Sequence, residues 1–87
     1  MIACVTHTRE YLMTVNQNVL VIYDNFKSYA ENHTLREVAD IVKPDWEIVR
    51  MSTTMLVVET TIEGVEYRVR VSKLGDVMNV QVATWKF

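Results

Sequence analysis

Cysteine, proline and glycine are scarce in this chain of 87 residues, which contains one cysteine, one proline and two glycines. The single cysteine, Cys4, excludes an internal disulfide, which is typical of a protein kept in a reducing compartment. The glycines Gly64 and Gly75 are too far apart for either phosphate-binding glycine motif. The longest apolar run, Val19 to Tyr23, is far shorter than the ~20 residues of a membrane span. We therefore expect a cytoplasmic protein without a membrane partner, a metal or a cofactor.

Neither sign of charge dominates the sequence. Nine Lys/Arg residues stand against eleven Asp/Glu residues and give a formal net charge of −2. This composition lacks the basic signature of a nucleic-acid-binding protein. At this length the chain is expected to form a single α+β domain, residues 1–87, with one modest hydrophobic core.

Two helices are predicted in the first half of the chain. Apolar residues recur every three or four positions from Tyr11 to His33, which predicts an amphipathic helix from about Thr8 to Asn32, capped by Thr6 or Thr8. A rival interpretation makes residues 19–23 a strand because of their β-propensity. Thr34 and Glu37 have the spacing of a capping box, so a second helix begins there and ends before Pro44.

The second half of the chain predicts four strands joined by short turns, at 46–51, 55–62, 65–73 and 77–87. Connections this short join antiparallel neighbours. The predicted fold class is therefore α+β, with an N-terminal αα-hairpin packed on one face of a four-stranded antiparallel β-meander, in the order α-α-β-β-β-β. The sequence leaves open whether residues 1–5 form a strand or extend the first helix.

The third strand has the clearest pattern, because Val65, Tyr67, Val69 and Val71 alternate with polar residues. A two-residue turn at 63–64 pairs these side chains with the apolar positions of the second strand, and a type II′ turn at 75–76 pairs them with the valines of the fourth. This register turns the valines and Tyr67 towards the helices. Charged side chains such as Arg68 are then directed to the opposite, outer face.

The first strand is less well determined. A two-residue turn before Met55 leaves Trp46, Ile48 and Arg50 on the outer face, and a shift by one residue reverses this. The register also directs Trp85 and Phe87 outward unless a bulge near residues 83–84 returns them to the core. Whether Trp46, Trp85 and Phe87 belong to the core or to the surface therefore stays open.

The outer face supplies the candidate binding site. Its mixture of aliphatic, tryptophan and arginine side chains is typical of the centre of a protein interface, although a solvated sheet face also tolerates stray apolar residues. We expect a small non-catalytic protein-binding module that acts by occupying the surface of a partner. The partner is another protein of unknown identity, and the chain is also expected to form a homo-oligomer. By analogy of size and charge alone, a virus-encoded inhibitor of host machinery, such as a nuclease inhibitor, is one form of this hypothesis. The predicted binding residues are Arg68, Arg70, Trp85, Met55, Val57, Arg50 and Glu59, with Ile48 beside them.

Two other classes of function compete with protein binding. A nucleic-acid-binding domain would use Arg68, Arg70 and Lys73, with Arg50 and Trp85, on one sheet face, although the interleaved Glu59 and Glu66 oppose it. A small enzyme would use Cys4 and His7, which together with Glu10 have the residue types of a nucleophilic triad. No glycine-rich or helix-start oxyanion site follows this group in the sequence, so we expect no catalytic residues.

Overall fold

A computed structural model describes the backbone of residues 2–86 and the side chains of residues 15–84. The order of its elements confirms the predicted fold class, with two helices followed by a four-stranded antiparallel sheet on which they pack. The elements are α1 (Ile2–Asn32), α2 (Leu35–Val42), β1 (Glu47–Met51), β2 (Met55–Ile62), β3 (Val65–Leu74) and β4 (Val77–Lys86).

The first helix, α1, is longer than predicted. It begins at Ile2, so Thr6 and Thr8 lie inside the helix and the prediction that one of them caps it is wrong. No glycine or proline occurs between Ile2 and the predicted start, so nothing in that segment breaks a helix. The rival strand at residues 19–23 is also wrong, because the apolar residues of this segment continue the helical periodicity that buries Val15, Ile22, Phe26 and Ala30.

The second helix, α2, starts at the predicted capping box. The amide of Glu37 donates to the Thr34 hydroxyl oxygen at 3.2 Å, and the amide of Thr34 donates to a Glu37 carboxylate oxygen at 2.8 Å. The hydrogen bond from the Thr34 amide to the carboxylate is the main reason why the pKa of Glu37 lies below its ordinary value. The Lys43 amide still donates to Ala39 O, and the helix ends there because Pro44 follows.

The sheet has the strand order β1-β2-β3-β4, and its central register is the predicted one. Leu56 pairs with Val71 between β2 and β3, and Val71 pairs with Val80 between β3 and β4. The turn at 63–64 has two residues as predicted, with φ of 53° at Glu63 and 79° at Gly64, and glutamate is an uncommon residue at a positive φ. Gly75 supplies the positive φ of 59° that the predicted turn at 75–76 requires. The hydrophobic pattern and the turn chemistry therefore agree on one arrangement.

Strand β1 follows the two-residue turn for only part of its length. Arg50 pairs with Val57 as predicted, but the register then shifts so that Ile48 pairs with Val58. Ile48 thus lies on the inner face, so its predicted place on the outer face is wrong. Trp46, whose position the sequence left open, also packs against the core. The extra residue at the shift, Val49, is half exposed, and this irregularity is what turns Ile48 towards the core.

The core lies between the helices and the inner face of the sheet. Helix α1 packs mainly on β4 and also contacts β3, whereas α2 contacts β1 and β2. A buried tyrosine needs a hydrogen-bond partner, and Asn18 Nδ2 donates to the Tyr67 hydroxyl at 3.1 Å. The largest fully buried side chains are Tyr67, Leu56, Val38, Val58, Val69 and Val71.

Lys73 corrects one detail of the nucleic-acid hypothesis. It lies on the inner face, where its Nζ donates to Ala30 O at 2.7 Å and to His33 O at 3.1 Å at the end of α1. Its predicted place beside Arg68 and Arg70 is therefore wrong. Side chains alternate along a strand, so an odd-numbered residue of β3 shares the face of Val71 and not the face of Arg70.

Candidate protein-binding surface

The candidate site is the sheet face opposite the helices, which we call the outer face. The strand register brings the predicted side chains together there in rows that cross the strands. Arg50, Val57 and Arg70 form one row, and Glu59 and Arg68 belong to the next. Met55 pairs with Ser72 beside the first row. The backbone of Trp85 pairs with Glu66 as predicted, while its side chain, like Phe87, lies outside the described residues.

Val57 is the centre of this surface. It is half-buried on an open sheet face, and its cross-strand neighbours Arg50 and Arg70 are both exposed. Among the described side chains neither of these two arginines forms an ion pair. An aliphatic side chain between two available guanidinium groups suits a protein partner, because arginine combines apolar contact with directed hydrogen bonds.

Arg68 differs from Arg50 and Arg70 because its charge is neutralised by Glu59. Arg68 Nε donates to Glu59 Oε2 at 2.6 Å, and the Arg68 terminal nitrogen contacts the same oxygen. The Glu59 side chain is 19% exposed and that of Arg68 is 47% exposed, so the pair is partly solvated and adds little to stability. Its effect is to hold Arg68 in place on the surface and to lower its availability to a nucleic-acid phosphate.

The outer face has an apolar end that was not predicted from the sequence. Leu74 and Val77 pair across the turn between β3 and β4 and are 72% and 70% exposed. The predicted third strand stopped at Lys73, which left Leu74 in the turn. The pattern that could have revealed the pair is the continued alternation, since Leu74 shares the face of Arg70 and Ser72.

The other candidate sites have less support in the structure. The side chains of Cys4, His7 and Glu10 lie outside the described residues, so the hypothesis of a small enzyme stays a prediction. Within residues 15–84 no three His, Cys, Asp or Glu side chains are arranged to hold a metal ion. Neither helix, over the part of the chain that was described, has the length and hydropathy needed to cross a membrane.

The site must be interpreted from its own geometry. No protein-family model, curated protein or solved structure matches this chain. Within residues 15–84, three basic and three acidic side chains share the outer face, and they are the features on which an interpretation depends. The basic ones are Arg50, Arg68 and Arg70, and the acidic ones are Glu47, Glu59 and Glu66.

Proposed function

We propose that this chain is a non-catalytic protein-binding module whose contact surface is the outer face and whose first occupant is a second copy of the chain. The observation that carries the proposal is the position of Val57, half-buried between the exposed Arg50 and Arg70 on the face opposite the helices. Arginine is enriched among the residues that anchor the centres of interfaces, and the buried core of an interface is more apolar than the rest of the surface. A bound copy or partner would act by covering this surface.

Charge balance favours a second copy. The outer face carries as many glutamates as arginines, so two identical faces meet without net repulsion. A symmetric dimer uses the same patch on both subunits, and two-fold packing of the two faces allows an arginine of one copy to lie against a glutamate of the other. Glu47 and Glu66, which form no ion pair among the described side chains, are suitable partners for Arg50 and Arg70.

The proposal also includes the more specific expectations that came from the sequence. They are a homodimer in the cytoplasm and, by analogy alone, a viral inhibitor that blocks a host protein through the same surface. The nucleic-acid alternative is disfavoured by the Arg68–Glu59 pair and by the position of Lys73 under α1. It predicts salt-dependent binding of an oligonucleotide that is lost when Arg50 and Arg70 are replaced.

Sedimentation equilibrium tests self-association directly. We expect the wild-type chain to dimerise, and the double variant Arg50→Glu/Arg70→Glu to sediment as a monomer because glutamates would then face glutamates. The reversed variant Glu47→Arg/Glu66→Arg should also be monomeric, because arginines would then face arginines. An equimolar mixture of the two variants should recover the dimer, since each restores the charge that the other has lost.

A matched control separates this effect from a general change of charge. Lys27→Glu/Arg36→Glu reverses two exposed charges on the helices, and this variant should dimerise as the wild type does. Far-UV circular dichroism checks that each variant is folded. A monomeric wild-type chain would refute the second copy as occupant, and a dimer that survives Arg50→Glu/Arg70→Glu would show that the outer face is not the contact surface of that dimer.

A further inference from the structure

A second surface of the molecule lies beside α1 and α2, away from Val57. There the two helices, the turn before β1 and the end of β2 enclose a cleft of about 470 Å³. This volume is within the range of ordinary ligand sites. The residues that line it are Ile22, Asn25, Phe26, Tyr29, Ile41, Val42, Asp45, Trp46, Thr60 and Ile62.

Three aromatic rings shape this cleft. The ring of Phe26 is buried, with its residue 2% exposed, and the rings of Tyr29 and Trp46 both contact it edge to face. The ring centroids are 6.1 Å apart for Phe26 and Tyr29 and 5.1 Å apart for Phe26 and Trp46, with interplanar angles of 67° and 82°. Tyr29 and Trp46 are half-buried, and both line the cleft. The faces of aromatic rings attract cations.

The surface next to the cleft is acidic. A second depression of about 280 Å³ adjoins it and shares Asp45 and Thr60, and Glu47, Glu59 and Glu66 also line it. It lies where β2 extends beyond the last pair with β1, which is Glu47 with Glu59. The Thr60 hydroxyl donates to Asp45 O at 2.9 Å, so the two residues that line both depressions are bonded to each other. No lysine or arginine is among the residues that line either of them.

We propose that this aromatic cleft binds the alkylammonium group of a lysine, methylated or unmodified, presented by a basic peptide segment. The ammonium group lies between the rings of Tyr29 and Trp46, and the alkyl chain contacts the aliphatic wall formed by Ile22 and Ile41. Neighbouring positive residues of the peptide lie along the acidic depression. The proposal concerns a surface distinct from the row of Arg50, Val57 and Arg70.

The two depressions together favour a peptide over a small free cation. A quaternary ammonium ion would fill part of the aromatic cleft and would leave Glu47 and Glu66 without a ligand. A basic segment covers both surfaces and brings a positive charge to each. An apolar ligand is disfavoured because it would gain nothing from the carboxylates of the adjoining depression.

Isothermal titration calorimetry with defined peptides tests the proposal. The probe is a short peptide with a central trimethyllysine and an arginine on each side. It is compared with otherwise identical peptides that carry lysine or the uncharged norleucine at the centre. We expect the norleucine peptide to bind roughly tenfold more weakly than the better of the two cationic peptides, because it lacks the cation–π interaction. The titration is made below the concentration at which the chain dimerises, since Glu47 and Glu66 also belong to the outer face.

Variants locate the binding site. Tyr29→Leu and Trp46→Leu should each weaken binding of the cationic peptide several-fold, whereas Trp46→Phe should retain most of it. Tyr23→Leu is the matched control, because Tyr23 is a partly exposed tyrosine of α1 outside the cleft. Circular dichroism confirms that each variant is folded, and the wild-type comparison of peptides does not depend on any variant.

Three results would overturn the proposal. Equal affinity for the norleucine and cationic peptides would identify an apolar slot that does not recognise charge. Equal losses in Tyr29→Leu and Tyr23→Leu would place the peptide elsewhere on the molecule. Tetramethylammonium binding as tightly as the trimethyllysine peptide would replace the peptide segment by a small cation.

Discussion

Lys73 allows a quantitative test of how the sheet holds the end of α1. Its Nζ donates to the carbonyl oxygens of Ala30 and His33, where the helix dipole favours a positive charge. Hydrogen bonds from a charged group contribute about 1.5–3 kcal/mol when well buried, and Lys73 is only half-buried. We therefore expect Lys73→Met, which keeps the apolar part of the side chain, to lower the free energy of unfolding by about 1–2 kcal/mol. For a domain of this size that corresponds to a decrease in Tm of roughly 4–16 °C.

The measurement is urea unfolding followed by circular dichroism, at a concentration where the chain is monomeric, with Arg70→Met as the matched control. Both variants remove one positive charge from β3, but Arg70 is exposed on the outer face and forms no ion pair among the described side chains. Its replacement should change the free energy of unfolding by no more than about 0.5 kcal/mol. Equal effects of the two substitutions would mean that the contacts of Lys73 with α1 add nothing beyond its charge.

Two further substitutions test the core and the helix cap. Leu56→Ala removes a side chain that is 0% exposed and should lower the free energy of unfolding by about 2–5 kcal/mol in urea unfolding, whereas Val57→Ala on the outer face should cost much less. Similar losses at both positions would contradict the assignment of the two faces. Glu37 has a lowered pKa in the folded chain, so its charge stabilises the fold above the ordinary pKa of glutamate, and this contribution is lost as pH falls through the lowered value. The difference in unfolding free energy between the wild type and Glu37→Gln should therefore shrink as the pH is lowered, and a constant difference from neutral to acidic pH would show that the carboxylate charge is not involved.

The central register was predictable because two independent features agree. The alternation of Val65 to Val71 selects one face, and the turns at Gly64 and Gly75 fix which residues pair. The capping box of Thr34 was equally predictable, because it depends only on two residues three positions apart. These elements are specified by local sequence, and the positions of the outer-face side chains follow from them by counting.

The remaining features depend on distant parts of the chain. The register shift at Val49 is favoured because it packs Ile48 against the core beside Trp46, whose ring contacts Phe26 of α1, and no local pattern reveals that gain. The aromatic cleft requires the packing of both helices on the sheet, so the sequence alone does not bring Tyr29 and Trp46 together. For Lys73 the alternation did contain the answer, and the error came from grouping it with Arg68 and Arg70 by charge.

The packing of α1 on β4 has a consequence for how the fold is reached. α1 precedes all four strands and packs mainly on β4, the fourth of them, so most of the sheet surface under the apolar stripe from Val15 to Ala30 is made after the other strands have emerged. Closing the long loop between α1 and β4 costs entropy before these contacts are gained, which favours slow folding relative to a helical bundle of equal length. A nascent chain that lacks β4 therefore keeps its long helix without the main surface on which that helix packs.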